Sequence, residues 1–390
     1  MCHPDRSNVI LVSQARFSVR QVRGAPQVEV TRDGAPRDGD VVEVPALWLR
    51  ERSQSPAQLD AVSGQRLFDP HLLDADLALV EARIEDDVLV VRFSDGHDES
   101  YRLDALARAV CEDHDGCPVP IAWRAGAAVP PSHGWRDLVD GRAMLAALED
   151  LLVHGVIVVR GAPIDPGTVL AVAGRFGYVR ETNFGRSFDV RSVPGSNDLA
   201  YRAVGLGPHT DNPYRAPVPG IQLLHCLVNE TKGGLSTLVD AIAVTDQLAQ
   251  EDPEALALLT AVRVGFRFRD ADSDLVTRRP VVAIDDRGRV TGLHYSPRLD
   301  QLPLMSSAET RAYQRARGRL AALLQDPAFE VRVRLDAGEV LVFSNDRVLH
   351  GRTPFDPKDG RRHLQGCYID QDAPRSRYRV LRRMLQQSEG

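Results

Sequence analysis

The spacing of apolar residues changes period several times along the chain, and each period predicts a different element. Residues 1 to about 20 keep neither a helical nor a strand period and are expected to form an irregular arm or an edge strand. Alternation then takes over at Val28 and Val30, at Val41, Val42 and Val44, and in residues 79–84 and 88–93 across the turn Glu85-Asp86-Asp87. Period-two alternation is the signature of half-buried strands, so this part predicts a small antiparallel β-rich module. Residues 103–110 read as the end of a helix. Pro118, Pro120, Pro130 and Pro131 punctuate residues 116–134, which predicts a linker.

Beyond the prolines the period becomes helical. Leu138, Met144, Leu145, Leu148 and Leu152 form one stripe over residues 135–152, followed by a strand at 156–159 and a second helix at 167–176 that ends at Gly177. Short strands are then predicted at 221–228, 236–239, 262–268, 281–284 with 289–294, 340–343 and 362–370, interrupted by a helix over 308–324. Many short strands flanked by helices make the fold class mostly β and suit a double-stranded β-helix, or jelly roll. The expected domains are a β-rich module over residues 1–115, the linker over 116–134 and the jelly roll over 135–390.

Composition narrows the partners. A chain of 390 residues exceeds what one core usually organises, which supports two domains. A net charge of -6 argues against non-specific nucleic-acid or anionic-membrane binding, leaving a small-molecule partner, with a homodimer left open. The most apolar stretch, residues 153–159, is too short to span a bilayer and contains His154 and Gly155. Five scattered cysteines and no apolar run that reads as a signal peptide give the expectation of reduced thiols in a cytoplasmic protein.

The candidate chemistry centres on Gly207-Pro208-His209-Thr210-Asp211-Asn212. In extended backbone an H-x-D pair places an imidazole and a carboxylate on one face. Joined by a distant histidine, such a pair makes the facial triad of non-haem Fe(II) oxygenases, in which three coordination positions stay open. His3-Pro4-Asp5 is a second H-x-D and reads as a chance occurrence. The distant histidine is His350, which follows the buried run Val340, Leu341, Val342 and Phe343. Twelve residues further on, Arg362 starts an alternating strand that aims a cation at a metal-bound dicarboxylate. His225 and His294 lie on strands and read as core histidines, and the plainer alternative for the triad itself is a capping aspartate with two structural histidines.

The order H-T-D, then Gly233-Gly234-x-Ser236, then N-x-R-x-L-H-G-R at Asn345 to Arg352, then R-H-L-x-G-x-Y-x-D at Arg362 to Asp370, resembles the γ-butyrobetaine hydroxylase branch of the taurine-dioxygenase-like Fe(II)/2-oxoglutarate oxygenases. The resemblance runs over nearly the whole chain. It implies iron at His209, Asp211 and His350, and 2-oxoglutarate held by Arg362 with Ser236 as a second contact and Arg361 or Arg352 next in line. It further implies O2 as oxidant, with oxidative decarboxylation to succinate and CO2 coupled to hydroxylation of an unactivated C–H.

The same resemblance assigns an aromatic enclosure for a trimethylammonium group to Phe184, Phe188, Tyr201 and Tyr368. Substrate positions where the chain departs from the branch are Asp198, Asn212, Ser296 and Arg298; an anionic Asp198 repels a carboxylate and attracts an amine. The branch holds a structural zinc in its N-terminal domain, but Ser53, Ser55 and Gln58 stand here where thiolates are needed, leaving His97 alone, so the zinc is expected to be lost. Cys111, His114 and Cys117 have metal-like spacing without a local fourth ligand and read as thiols and a solvated histidine at a boundary. Three function classes follow: a hydroxylase of an amine-bearing or trimethylammonium-bearing small molecule, a tailoring oxygenase for an apolar natural product, and an inactive ligand-binding jelly roll.

Overall fold

Most of the period-two stretches pair as their alternation requires. The structure, a computed structural model, describes residues 10–12, 15–32, 41–111, 116–128, 130–191 and 205–389, and these fall into two compact units, residues 1–116 and 117–390. No helix among the described residues is long and apolar enough to cross a membrane.

In the first unit, Ile10–Val12, Ala15–Val22, Ala25–Arg32 and Val41–Val44 form an antiparallel sheet, and Leu79–Glu85, Val88–Phe93 and Asp98–Arg102 form a three-stranded meander. Of the two alternatives for residues 1 to about 20, the edge strand holds at Ile10–Val12, which lies at the margin of the sheet, whereas Ala15–Val22 is an inner strand fully paired with the next, with Ala15 and Phe17 buried in the core. Phe17 packs with Val28, Val30, Leu49, Leu89 and Phe93.

The positions carried over from the zinc site are joined by hydrogen bonds instead. Ser53 donates to Glu99, the Nε2 of His97 lies 3.1 Å from Glu99, and Arg50 bonds Gln58 at 3.2 Å and Asp95 at 3.0 Å. One imidazole and one carboxylate beside a hydroxyl, an amide and a guanidinium fall short of the four ligands a structural zinc needs. Elemental analysis of dialysed protein is therefore expected to find no stoichiometric zinc; zinc that survives dialysis would turn attention back to Cys111, His114 and Cys117. Of these, His114 lies outside the described residues and Cys117 is half-buried.

The second unit is mostly β with flanking helices and is a double-stranded β-helix. Its larger sheet runs through Val179–Arg180, Arg362–Ile369, Ile221–Asn229, Val340–Ser344, Val156–Arg160 and Ser132–Gly134, with Phe188–Arg191 also on Arg362–Ile369. Its smaller sheet runs Leu206–His209, Val348–Arg352, Ser236–Asp240, Glu330–Val333. Strands of the larger sheet are apolar on both faces because both are covered. Val340, Val342, Ile157 and Val159 pack under the helices Gly141–His154 and Thr168–Phe176, whereas Leu341, Phe343, Val156 and Val158 meet Leu238 and Val348 of the smaller sheet.

The first helix of this unit begins later than its apolar stripe suggests. Asp140 accepts from the N–H groups of Arg142 and Ala143 and caps the helix there, and Gly155, at φ +74°, ends it. Trp123, within the proline-rich stretch read as a linker, is buried against Val156 and Leu238, and its backbone N–H donates to Asp240 at 3.1 Å. The Asp240 carboxylate also pairs with the buried Arg347 guanidinium, which in turn donates to the carbonyls of Ile121 and Val153. That buried, fully hydrogen-bonded pair ties residues 121–123 to the smaller sheet.

Candidate active site

Register brings the two histidines together. Strand Leu206–His209 is antiparallel to Val348–Arg352 with His209 opposite His350, and residues opposite one another in such a pair share a face. Their rings lie 4.4 Å apart, centroid to centroid. Asp211, just past the strand end, brings Oδ1 to 3.5 Å from His209 Nε2 and 3.9 Å from His350 Nε2. Among the described residues this is the group of three ligand-type side chains whose atoms all lie within 4.8 Å of one another.

Each member is held in a ligating form. His209 Nδ1 lies 3.0 Å from the Gly207 carbonyl; a carbonyl only accepts, so Nδ1 carries the proton and Nε2 keeps its lone pair. Burial, with the neighbouring His209, pushes the His350 pKa down to about 3 against the pull of Asp211, leaving a neutral imidazole. Burial opposes ionisation of Asp211, but the neighbouring His209 and His350 and the hydrogen bond from the Tyr368 hydroxyl outweigh it and hold the carboxyl well below its usual range. Two imidazoles and a carboxylate on one face form the N,O,N donor set of a facial triad, which suits Fe(II).

Asn345 fixes the backbone from which Asp211 projects. Its Oδ1 accepts from Asp211 N–H at 2.7 Å, and its Nδ2 donates to the carbonyls of Asp211 at 2.9 Å and Pro219 at 3.0 Å. These partners also settle the orientation of the amide, since the N–H needs the oxygen and the carbonyls need the nitrogen. The next residue, Asn212, sits at φ +54°, the left-handed region that asparagine tolerates better than most side chains, and its Oδ1 accepts from the Tyr214 hydroxyl.

The triad opens into a cavity of about 720 Å³. One side carries Arg362, Arg352 and Ser236, all buried. Arg362 Nη2 donates to the Gly234 carbonyl at 3.1 Å, while its Nε has no partner among the described residues. Gly234 lies at φ +69°, and a Cβ there would sit 2.8 Å from Arg362 Nε, so the glycine makes room for the guanidinium. Burial, together with the Arg352 charge, lowers the Arg362 pKa to about 10. A buried cation with unused donors calls for an anion. Its planar fork matches a carboxylate, so these residues fit a dicarboxylate such as 2-oxoglutarate. Arg361 points away and pairs with Glu230 at 2.9 Å on the surface.

Aromatic rings make another side. Phe188 and Tyr368 pack at 5.2 Å and Phe184 meets Phe268 edge-on at 5.6 Å. The Tyr368 hydroxyl donates to Asp211 Oδ2 at 2.7 Å, and burial with the Asp211 charge keeps that phenol protonated. Asn212, Ser296 and Arg298 also line the cavity, whereas Asp198 and Tyr201 lie outside the described residues. Sequence reasoning overlooked Phe268, stacked on Tyr214 at 5.1 Å, together with the anchoring role of Asn345. The signal for Phe268 was present: Val264, Phe266 and Phe268 alternate on one face of Arg263–Arg269, the first two buried in the core and the third reaching the cavity.

The two histidines read as core residues stand outside the cavity lining. His294 lies 3.0 Å from the Pro280 carbonyl. His225 is fully buried with neither ring nitrogen partnered among the described residues, and burial takes its pKa down to about 4.

Residues 131–368 match the profile of the taurine catabolism dioxygenase TauD, TfdA family, and residues 33–107 match that of the gamma-butyrobetaine hydroxylase-like N-terminal domain. The chain is 35% identical over 353 residues to a gamma-butyrobetaine dioxygenase of Pseudomonas sp. (strain AK-1), covering 89% of this chain and 92% of that one. It is 27% identical over 360 residues to dioxygenase str8 of Strobilurus tenacellus, covering 87% and 85%. It is 28% identical over 347 residues to the mitochondrial trimethyllysine dioxygenase of Rattus norvegicus, covering 86% and 82%.

Proposed function

This chain belongs to the taurine catabolism dioxygenase TauD, TfdA family and is a 2-oxoglutarate-dependent dioxygenase using Fe(II) and O2, and from that premise we propose that it hydroxylates an unactivated C–H of a small molecule bearing a cationic amine or trimethylammonium end. One observation carries the proposal: the cavity in front of the triad has buried arginines on one side and aromatic rings on another. Cation-π contact is worth roughly 0.5 to 2 kcal/mol, and each aromatic face of an enclosure adds to it. Its relatives' names point the same way.

When bound, iron supplies the coupling of 2-oxoglutarate decarboxylation and O2 reduction to C–H oxidation, yielding succinate and CO2. The chain's own residues do the rest. Arg362, with Ser236 beside it, holds the far carboxylate and so fixes which end of 2-oxoglutarate faces the triad. Val190, Leu224 and Leu364 keep the cavity wall apolar around it. Phe184, Phe188 and Tyr368 orient the substrate. The five scattered cysteines, of which the buried Cys226 and Cys367 are free thiols, support a cytoplasmic location.

A second reading, oxidation of an apolar natural product, rests on the cation Arg298 in the lining, which repels a cationic substrate end; Arg267 and Arg269, also in the lining, are paired with Asp274. Asp270, which also lines the cavity, accepts from the N–H groups of Asp272 and Ser273, whereas Asp198, assigned to the substrate by the resemblance alone, lies outside the described residues. A panel of trimethylammonium compounds and neutral hydrophobes, scored for hydroxylated product, separates the readings. Product is expected from the cationic compounds, with Asp198→Asn and Phe188→Ala each raising their KM up to about tenfold. Turnover of the neutral compounds alone, indifferent to Asp198→Asn, would leave the natural-product reading standing.

A further inference from the structure

Tyr368 stands where the aromatic wall meets the metal triad. Its ring lines the cavity and packs on Phe188, while its hydroxyl reaches Asp211 Oδ2 at 2.7 Å. The direction of that bond is fixed, because an ionised carboxylate only accepts. The other oxygen, Oδ1, is the one near both His209 Nε2 and His350 Nε2. With Asn345 clamping the Asp211 backbone on its N–H and its C=O, the main freedom left to the carboxylate is rotation about its own side-chain bonds. The phenol removes that freedom.

We infer that Tyr368 is a positioning residue that keeps Asp211 a one-oxygen metal ligand: the phenol occupies Oδ2, so Oδ1 alone is presented to iron. The inference rests on the iron-triad reading. Carboxylates bind metals through one oxygen or through both. A facial triad has three open positions, of which 2-oxoglutarate takes two and O2 one. A second oxygen from Asp211 would take one of these and leave chelation of 2-oxoglutarate competing with O2. Tyr368 thereby spares the position that the reaction needs.

The neighbouring backbone is built to hold the ring there. Tyr368 lies opposite Gln222 in the larger sheet, and two residues earlier on the same face Gly366 lies opposite Phe188. A Cβ on Gly366 would run into the Phe188 ring, so the glycine lets Phe188 lie against the strand and buttress Tyr368. Gly366 is thus a positioning residue at one further remove.

The test uses the full-length protein loaded with Co(II), whose visible absorption weakens as its coordination number rises. Tyr368→Phe is expected to retain one Co(II) but to absorb more weakly. It should also bind 2-oxoglutarate at least about tenfold less tightly, in line with the roughly 10- to 100-fold that lost support of a metal ligand costs. Arg361→Ala, whose guanidinium is spent on Glu230 at the surface, should show the absorption of the unmutated protein. An unchanged spectrum and unchanged 2-oxoglutarate affinity in Tyr368→Phe would overturn the inference.

A measurement on unmutated protein covers the case in which that variant fails to fold. In the metal-induced infrared difference spectrum of protein labelled with carboxyl-13C aspartate, a wide separation of the antisymmetric and symmetric stretches marks one-oxygen ligation and is expected. A narrow separation, marking ligation through both oxygens, would overturn the inference. Failure of the unmutated protein to bind Co(II) at all would overturn the triad reading and this inference with it.

Discussion

Replacing His350 with alanine is expected to leave a folded protein that no longer retains iron and no longer forms succinate from 2-oxoglutarate. The histidine sits in the middle of Val348–Arg352, flanked by strands on both sides, and its backbone pairing does not depend on the imidazole. What disappears is one of the two nitrogen donors, and the remaining His209 and Asp211 offer two ligands where a facial triad requires three. Removing a mere supporting hydrogen bond already costs a metal site roughly 10- to 100-fold, so loss of a ligand should exceed that. Elemental analysis and succinate formation, measured on the same sample, check it. Full iron content together with full succinate formation in His350→Ala would mean that the triad is elsewhere.

The second large effect is expected at Arg362. Arg362→Ala should raise the 2-oxoglutarate requirement more than roughly tenfold while iron stays in place, because truncating one partner of a buried charged pair costs on the order of 2 to 5 kcal/mol. Arg361→Ala supplies the contrast, since its guanidinium is spent on Glu230 at the surface. Arg362→Lys should fall between the two, keeping the charge but not the fork that bonds both oxygens of a carboxylate. Half-saturation for 2-oxoglutarate unchanged in Arg362→Ala would move the anchor to Arg352, the neighbouring guanidinium in the cavity.

The triad was legible in the sequence because its chemistry is carried by residue types at fixed spacing: His209 and Asp211 are two apart, and His350 follows a strand whose unbroken apolar run marks a doubly covered position. Arg362 was legible as the cation opening an alternating strand. The groups that hold these residues in place were not. Asn345 is a polar residue in a motif, and only the register that brings it to Asp211 and Pro219 reveals three hydrogen bonds. Tyr214 and Phe268 belong to segments far apart in sequence, and their stacking depends on how the Arg263–Arg269 strand reaches the cavity, which periodicity does not encode.

Local pattern also misled at the margins. Strand Ala15–Val22 mixes Arg16, Arg20 and Gln21 with its apolar residues, so its pairing outweighed a weak alternation. Helices Ala241–Glu251, Pro253–Ala261 and Asp372–Glu389 went unread, although Asp240 and Asp252 cap the first two and Pro253 stands in the first turn of the second. Trp123 was hidden among prolines because its anchor, the Asp240–Arg347 pair, is a long-range contact.

The most direct measurement is succinate formed from 2-oxoglutarate by the iron-loaded, unmutated protein in air without added substrate, compared with Asp211→Ala under the same conditions. Slow but steady succinate formation by the unmutated protein, absent from the variant, is the predicted result. Protein that holds stoichiometric iron and binds 2-oxoglutarate, yet forms no more succinate than Asp211→Ala, would contradict an oxygenase and leave an inactive ligand-binding jelly roll.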